Sequence, residues 1–279
     1  MSPRVWSEII RPALVDRKGA AIFIGTPKGR NHFYDLWGKG ADKQEGWASF
    51  QFTTLDGGNV PQSELDAARG DLDERTFKQE YEAKFVNYSG IIYYNFVRED
   101  SVVKFEGELD HLHIGMDFNL DPMSAVVMLR RGDNLYAIDE VVMFGSNTDE
   151  MVAEIKQRYP SKKITIYPDP ACRQRKTSAG GRTDLSILQN AGFEVRVKNV
   201  HTAVRDRVNA VNSRLKSSSG DRRLFIAPKC KKTIESLERQ TYKEGTSQPE
   251  KSGYDHMNDA LGYAVDYLFP IRKQHEAVK

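Results

Sequence analysis

Three aspartates stand in settings that suit them to hold hard divalent cations: Asp117 in GMDFN, Asp169 in IYPDPA and Asp259 in DHMNDALGY. Hydrolysis of a phosphodiester with two divalent ions needs oxygen ligands converging on one point, to activate water and to stabilise the departing oxygen. Asp117 falls within an apolar run that reads as a strand. Strands disfavour aspartate, and a buried carboxylate without a partner is costly. Gly115 lies on the same strand face and leaves room beside Asp117. Asp169 closes a second apolar run between two prolines, although a plain Pro-Asp-Pro turn explains it as well. Asp259 faces away from the apolar stripe of its helix, as a solvated surface carboxylate would. It is the three occurring together that points to chemistry.

Their neighbours carry further options. His256 precedes Asp259 by three residues and so shares its side of a helix, where it binds metal, moves a proton or touches only solvent. Asp255 reads as an N-cap, with a further metal ligand as the alternative. Glu140, in AIDEVV, is a spare acid on a third strand. An apolar run ending in Asp-Glu imitates a nucleotide-hydrolysis motif, yet the sequence contains no phosphate loop of the form GxxxxGK[ST]. Asp121, before Pro122, reads as a turn residue. Two cysteines, Cys172 and Cys230, are too few for a disulfide framework or a four-ligand zinc site and read as inert thiols in a reducing cytoplasm.

The elements that must position these residues follow from apolar spacing. HLHIGMDF, MSAVVMLRR and LYAIDEVVMF are strand-like and joined by short turns, which predicts a three-stranded antiparallel meander. A helix over 148–159, a strand KITIYPD, a helix over 183–190 and a strand FEVRVK come next. A helix with Val204, Val208, Val211 and Leu215 at helical period follows, then a strand-like RRLFIA and a helix from about Lys229. The last helix, about 255–269, carries a stripe of Met257, Leu261, Ala264, Val265 and Leu268. Three antiparallel strands followed by α-β-α-β-α is the order of a ribonuclease-H-like mixed sheet flanked by helices, an α/β class. Before it, residues 5–15 read as a helix, AAIFIG as a buried strand, NHFYDLW as an aromatic-rich helix and 47–53 as a strand. SELDAARGDLDERTFKQEYEAKF reads as two short helices broken at Gly70, and a linker falls near 87–90.

Charge is unevenly placed. The net charge is +2, yet residues 173–232 hold 15 lysines and arginines against 4 aspartates and glutamates. Such a bias suits a polyanion, although a merely solvated basic surface has the same composition. Arg173, Arg175, Lys176 and Arg182, just after Asp169, together with Arg205 and Arg207, are the candidate contacts to a double-stranded DNA backbone. No apolar run approaches the ~20 residues of a membrane span, and the N-terminus lacks the pattern of a secretory signal.

IFIGTPKGRNHFYDLW resembles the coupling segment that follows the hydrolysis motif in the ATPase domain of large terminase subunits of tailed bacteriophages. GMDFNLDPMSAVV, IYPDPA and DHMNDALGY resemble that family's nuclease motifs in the right order. The resemblance implies a ribonuclease-H-like endonuclease that cuts concatemeric viral DNA with two Mg²⁺ or Mn²⁺ ions held by Asp117, Asp169 and Asp259. His256 matches a histidine found near the third acid in some members. A small terminase subunit and a portal protein are the implied partners, and the bacterial host cytoplasm the implied location. Residues 1–88 would then be the C-terminal remnant of an ATPase domain plus linker, and 89–279 the nuclease domain. Without a phosphate loop, ATP hydrolysis is not expected of this chain. One alternative keeps the fold and changes the job, a resolvase- or transposase-like nuclease; another, from a different class, is a catalytically inactive DNA-binding or docking remnant.

Overall fold

The structure is a computed structural model that describes residues 4–27, 32–86, 90–119, 121–174, 182–243, 246 and 248–271. The chain divides into two compact units, residues 1–69 with 74–88, and residues 70–73 with 89–279.

In the first unit an irregular helical turn over Val5–Ile10 runs into α1 (Arg11–Val15). Then come α2 (His32–Ala41), most of α3 (Gln62–Asp71) and α4 (Glu74–Glu80). Gly70 lies inside α3, so the predicted break falls at Leu72–Asp73 instead. Trp6 sets its edge against Phe23 at 4.8 Å and Trp47 at 6.0 Å, and Phe85 packs among Phe33, Tyr34 and Trp37. The two strands expected here do not form. AAIFIG and 47–53 are extended but unpaired, leaving Ile22, Ile24, Phe50 and Phe52 exposed. A strand needs a neighbour for its backbone hydrogen bonds, and among the described residues neither segment has one.

The second unit opens with α5 (Arg98–Ser101) and the meander β1 (His111–Asp117), β2 (Met123–Arg131) and β3 (Asn134–Met143). After them come α6 (Thr148–Arg158), β4 (Lys163–Pro168), a 3₁₀ turn over Pro170–Arg173, α7 (Asp184–Asn190) and β5 (Glu194–Val195). The chain closes with α8 (Val204–Leu215), β6 (Leu224–Ile226), α9 (Lys231–Arg239) and α10 (Asp255–Leu268). The six strands form one mixed sheet in the order β5-β4-β1-β2-β3-β6. β1 and β3 are antiparallel to β2, whereas β4 runs parallel to β1, β5 to β4, and β6 to β3. FEVRVK pairs only over Glu194–Val195.

Alternation along β1 decides what each face of the sheet does. Leu112, Ile114 and Met116 join Ala125, Val127, Leu129 and Ile166 in a core completed by Met151 and Ile155 of α6 and Leu188 of α7. The odd-numbered residues His113, Gly115 and Asp117 therefore look the other way, toward α10. That helix buries Met257, Leu261, Ala264 and Val265, with Val208, Val211 and Leu215 of α8 and Ile234 and Leu237 of α9 also buried. With β1 central and covered on both faces, Asp117 is only 4% exposed.

Candidate active site

Strand pairing brings the first two acids together. β1 and β4 run parallel with Gly115 beside Tyr167 and Met116 beside Pro168, so one step further sets Asp117 beside Asp169. The Asp169 N–H donates to the Met116 carbonyl at 3.0 Å, which holds the strand ends in that register. Asp169 also fixes its own side chain, as Oδ1 accepts from the Ala171 N–H at 2.8 Å and caps the 3₁₀ turn. The Pro-Asp-Pro turn and the strand-end acid are thus one feature, not alternatives.

The third acid arrives on α10. A Cβ on Gly115 would stand 1.9 Å from the Ala260 carbonyl oxygen and 3.2 Å from the Ala264 Cβ. The space read in the sequence as room beside Asp117 is filled by the backbone of α10, and the glycine permits that approach. Asp259, next to Ala260, is thereby set over the strand ends. It is half-buried, not a freely solvated carboxylate. Burial pushes its carboxyl above the ordinary range, the Arg207 guanidinium pulls it back, and the Asp117 and Asp255 charges add to the upward push.

His256, one turn earlier on α10, reaches Asp117, with Nδ1 and Oδ2 3.1 Å apart. That contact raises the His256 pKa, burial opposes it, and the Asp255, Asp117 and Asp259 charges reinforce it. Asn119 completes the arrangement. Its Nδ2 donates to Asp117 Oδ2 at 2.8 Å and lies 2.7 Å from His256 Nδ1. Opposite Asp117 on β2, the buried Ser124 hydroxyl has no hydrogen-bond partner among the described residues.

The candidate cations are distributed differently from one another. Arg173 donates to the Lys198 and Val197 carbonyls and to Asn199 Oδ1, clamping the segment after β5. Arg182 pairs with Asp149 at 3.2 Å on the surface, and Arg205 lies 3.6 Å from its neighbour Asp206. Arg175 and Lys176 lie outside the described residues. Arg207 is only 8% exposed and pairs with Asp259, Nη2 to Oδ1 at 2.6 Å. The structure therefore brings Asp117, Asp169, Asp259, His256 and Arg207 together and leaves Arg173, Arg182 and Arg205 outside that group.

Asn119, Ser124, His201 (Nδ1 3.9 Å from Asp169 Oδ1) and Tyr263 (ring centroid 4.5 Å from the Arg207 guanidinium) belong to the same neighbourhood. Composition and spacing do not single them out. Only Asn119, two residues after Asp117, left a local signal.

Other residues resolve into structural roles. Asp255 does not cap α10, since Tyr254 takes that position; its Oδ1 accepts from the Gly253 N–H at 3.1 Å. Glu140 accepts the Lys232 and Thr233 N–H groups at 2.8 Å each and thereby caps α9 from β3. Asp121 accepts the Gly145 N–H at 2.8 Å, as a turn residue should. Both cysteines are buried and unbridged, and burial pushes each thiol up to about 12, which disfavours the thiolate.

As donors, the acids fit a hard divalent cation: they are carboxylate oxygens, with an unsatisfied buried hydroxyl beside the most enclosed of them. Among the described residues, no three His, Cys, Asp or Glu side chains are placed as they lie to hold a metal ion together. Nor, among those residues, is any helix long and apolar enough to cross a membrane.

Residues 114–268 match the Terminase RNaseH-like domain family, more than half the chain. The terminase large subunit of Escherichia phage T5 is 24% identical over 276 residues, 92% of this chain and 60% of that protein. The terminase large subunit of Thermus phage G20c is 33% identical over 165 residues, 54% of this chain and 31% of that protein. The chain thus spans about 60%, or less, of the length of these relatives. In fold it is similar to the large terminase of a thermophilic bacteriophage crystallised with ATP-gamma-S, at a TM-score of 0.67 and 16% identity over 94% of this chain and 68% of that one. It is also similar to the P22 large terminase nuclease domain, at 0.51 and 17% over 69% of this chain and 99% of that domain. The matched span begins inside β1 and ends with α10, so it contains all three acids, and the chain belongs to the Terminase RNaseH-like domain family.

Proposed function

We propose that the second unit is a divalent-metal-dependent DNA endonuclease that cuts concatemeric viral DNA for packaging. The observation that carries this reading is the meeting of Asp117 and Asp169 at the ends of adjacent parallel strands, under an α10 whose approach over Gly115 brings Asp259. Asp117, Asp169 and Asp259 would hold two Mg²⁺ or Mn²⁺ ions, which supply Lewis-acid stabilisation of the phosphate and a lowered pKa for attacking water. Asn119 donates to the Asp117 carboxylate and His256 Nδ1 lies in hydrogen-bond contact with its Oδ2, which together orient it. The enclosure of Asp117 strengthens each of these interactions by excluding water. Cations of segment 173–232, among them Arg175, Lys176, Arg182 and Arg205, would contact the duplex through phosphates, so little sequence preference is expected.

In the same reading, residues 1–88 are the closing part of an ATPase domain with its linker, and 89–279 are the nuclease domain. A small terminase subunit and a portal protein are the partners, in the bacterial host cytoplasm. Supercoiled plasmid incubated with the protein and Mn²⁺ or Mg²⁺ tests the reading. Cutting that EDTA abolishes is expected. A folded, DNA-binding protein that leaves the plasmid intact under all these conditions sinks it.

A further inference from the structure

Of the three acids, Asp259 is the one joined to a permanent cation. Arg207 projects from α8, its Nη2 lies 2.6 Å from Asp259 Oδ1, and the residue is only 8% exposed. Its position is built on both sides. The guanidinium lies over the Tyr263 ring, 4.5 Å from the centroid. A Cβ on Gly262 would stand 3.0 Å from Arg207 Cγ and Cδ, so the arginine stem lies against bare backbone of α10. Arginine stays protonated in proteins, so this charge cannot be shed to admit a metal. A divalent ion on Asp259 would meet that positive charge at close range in a partly dry site, where repulsion is strong.

We propose that Arg207 is a resident cation that withholds Asp259 from metal, so that the DNA-free site takes one divalent ion on Asp117 and Asp169. The second ion binds only when Arg207 leaves Asp259. The ligand able to draw it away is a backbone phosphate of the substrate, because a guanidinium binds phosphate with two parallel hydrogen bonds. Arg207 then becomes a phosphate-positioning residue, and completion of the metal site is tied to the presence of DNA. Assigning Arg207 this role rests on the metal-dependent nuclease reading above.

Calorimetric titration of the full chain with Mn²⁺ in the absence of DNA, on wild type, Arg207→Gln, Asp259→Asn and Asp117→Asn, tests it. Wild type is expected to bind one ion, and Asp259→Asn to bind it with unchanged affinity. Arg207→Gln is expected to gain a second ion, or to bind Mn²⁺ roughly tenfold more tightly overall. Two ions on DNA-free wild type, one of them lost in Asp259→Asn, would overturn the proposal. So would a folded Arg207→Gln that titrates like wild type. If Arg207→Gln does not fold, the wild-type stoichiometry and its response to Asp259→Asn decide the matter unaided. Wild type that binds no Mn²⁺, or Asp117→Asn that binds it as wild type does, contradicts the nuclease reading itself. Metal binding that needs Asp117 but ignores Arg207 and Asp259→Asn would leave that reading standing and remove only Arg207's role.

Discussion

The carbonyl oxygen of Ala260 occupies the space that a side chain on Gly115 would fill, 1.9 Å from where its Cβ would lie. One glycine thus sets the distance between the helix bearing Asp259 and the strand bearing Asp117. Gly115→Ala must push α10 off the sheet, and overpacking of this kind costs about 3 kcal/mol. Urea unfolding should show that loss. Plasmid cutting should fall by about 100-fold even where the variant remains folded, since a displacement near 1 Å at reacting groups has that effect. Wild-type stability and cutting in Gly115→Ala would show that α10 is not held this way.

Much of this arrangement is legible in the sequence, because strands and helices buried on one face write their period into the chain. The meander, the α10 stripe and the position of Asp117 in an apolar run all come from such patterns. Pairings between distant residues leave no such mark. Arg207 and Asp259 are 52 positions apart, and composition gives no sign that this candidate DNA contact is buried against an acid. Glu140 looked like a spare acid because its partners, the first amides of α9, are 92 and 93 residues away. AAIFIG shows the converse. Its apolar residues have the propensity for a strand but find no strand to pair with among the described residues, and Ile22 and Ile24 stay exposed.

Glu140 gives a prediction that separates acids of structure from acids of chemistry. Glu140→Ala removes the side-chain acceptor for two backbone donors and the Thr233 hydroxyl at the start of α9. The loss should be about 2 kcal/mol of stability. Metal-dependent cutting at a temperature well below unfolding should persist. Abolished cutting in a folded Glu140→Ala would make Glu140 part of the site.

His113 predicts a pH dependence of stability. Buried beside Tyr167, with Nδ1 2.9 Å from the phenol oxygen, it has its pKa pushed down from 6.5 to about 4 by burial, with His111, Arg130 and Arg196 adding to the effect. The folded state therefore holds His113 neutral where the unfolded chain protonates it. Its contribution is complete above about pH 6.5, declines as pH falls below that, and is lost by about pH 4, on the order of 3 kcal/mol in all. Chemical denaturation across this window should show the decline in wild type and a shallower one in His113→Gln. Equal slopes would remove His113 as its source.

The His256–Asp117 contact predicts a proton released on metal binding. Asp117 raises the His256 pKa, so the metal-free protein favours the protonated form more than a free histidine does, and its stabilising effect fades as pH rises through the raised value. A cation that takes the Asp117 carboxylate removes that support, and the histidine gives up its proton. Mn²⁺ titrations near neutral pH in buffers of different ionisation enthalpy should report this release in wild type and not in His256→Gln. The same release from both proteins would locate the proton elsewhere.

Asp117 is the carboxylate on which the proposed DNA cutting depends, and supercoiled plasmid with Mn²⁺ puts that dependence to the test. Wild type and Asp117→Ala are compared at equal concentration, with circular dichroism on both to establish folding. Wild type is expected to nick and linearise the plasmid, and a folded Asp117→Ala to do so at least about 1,000-fold more slowly. Equal rates, both abolished by EDTA, would contradict it and place the cutting centre away from the end of β1.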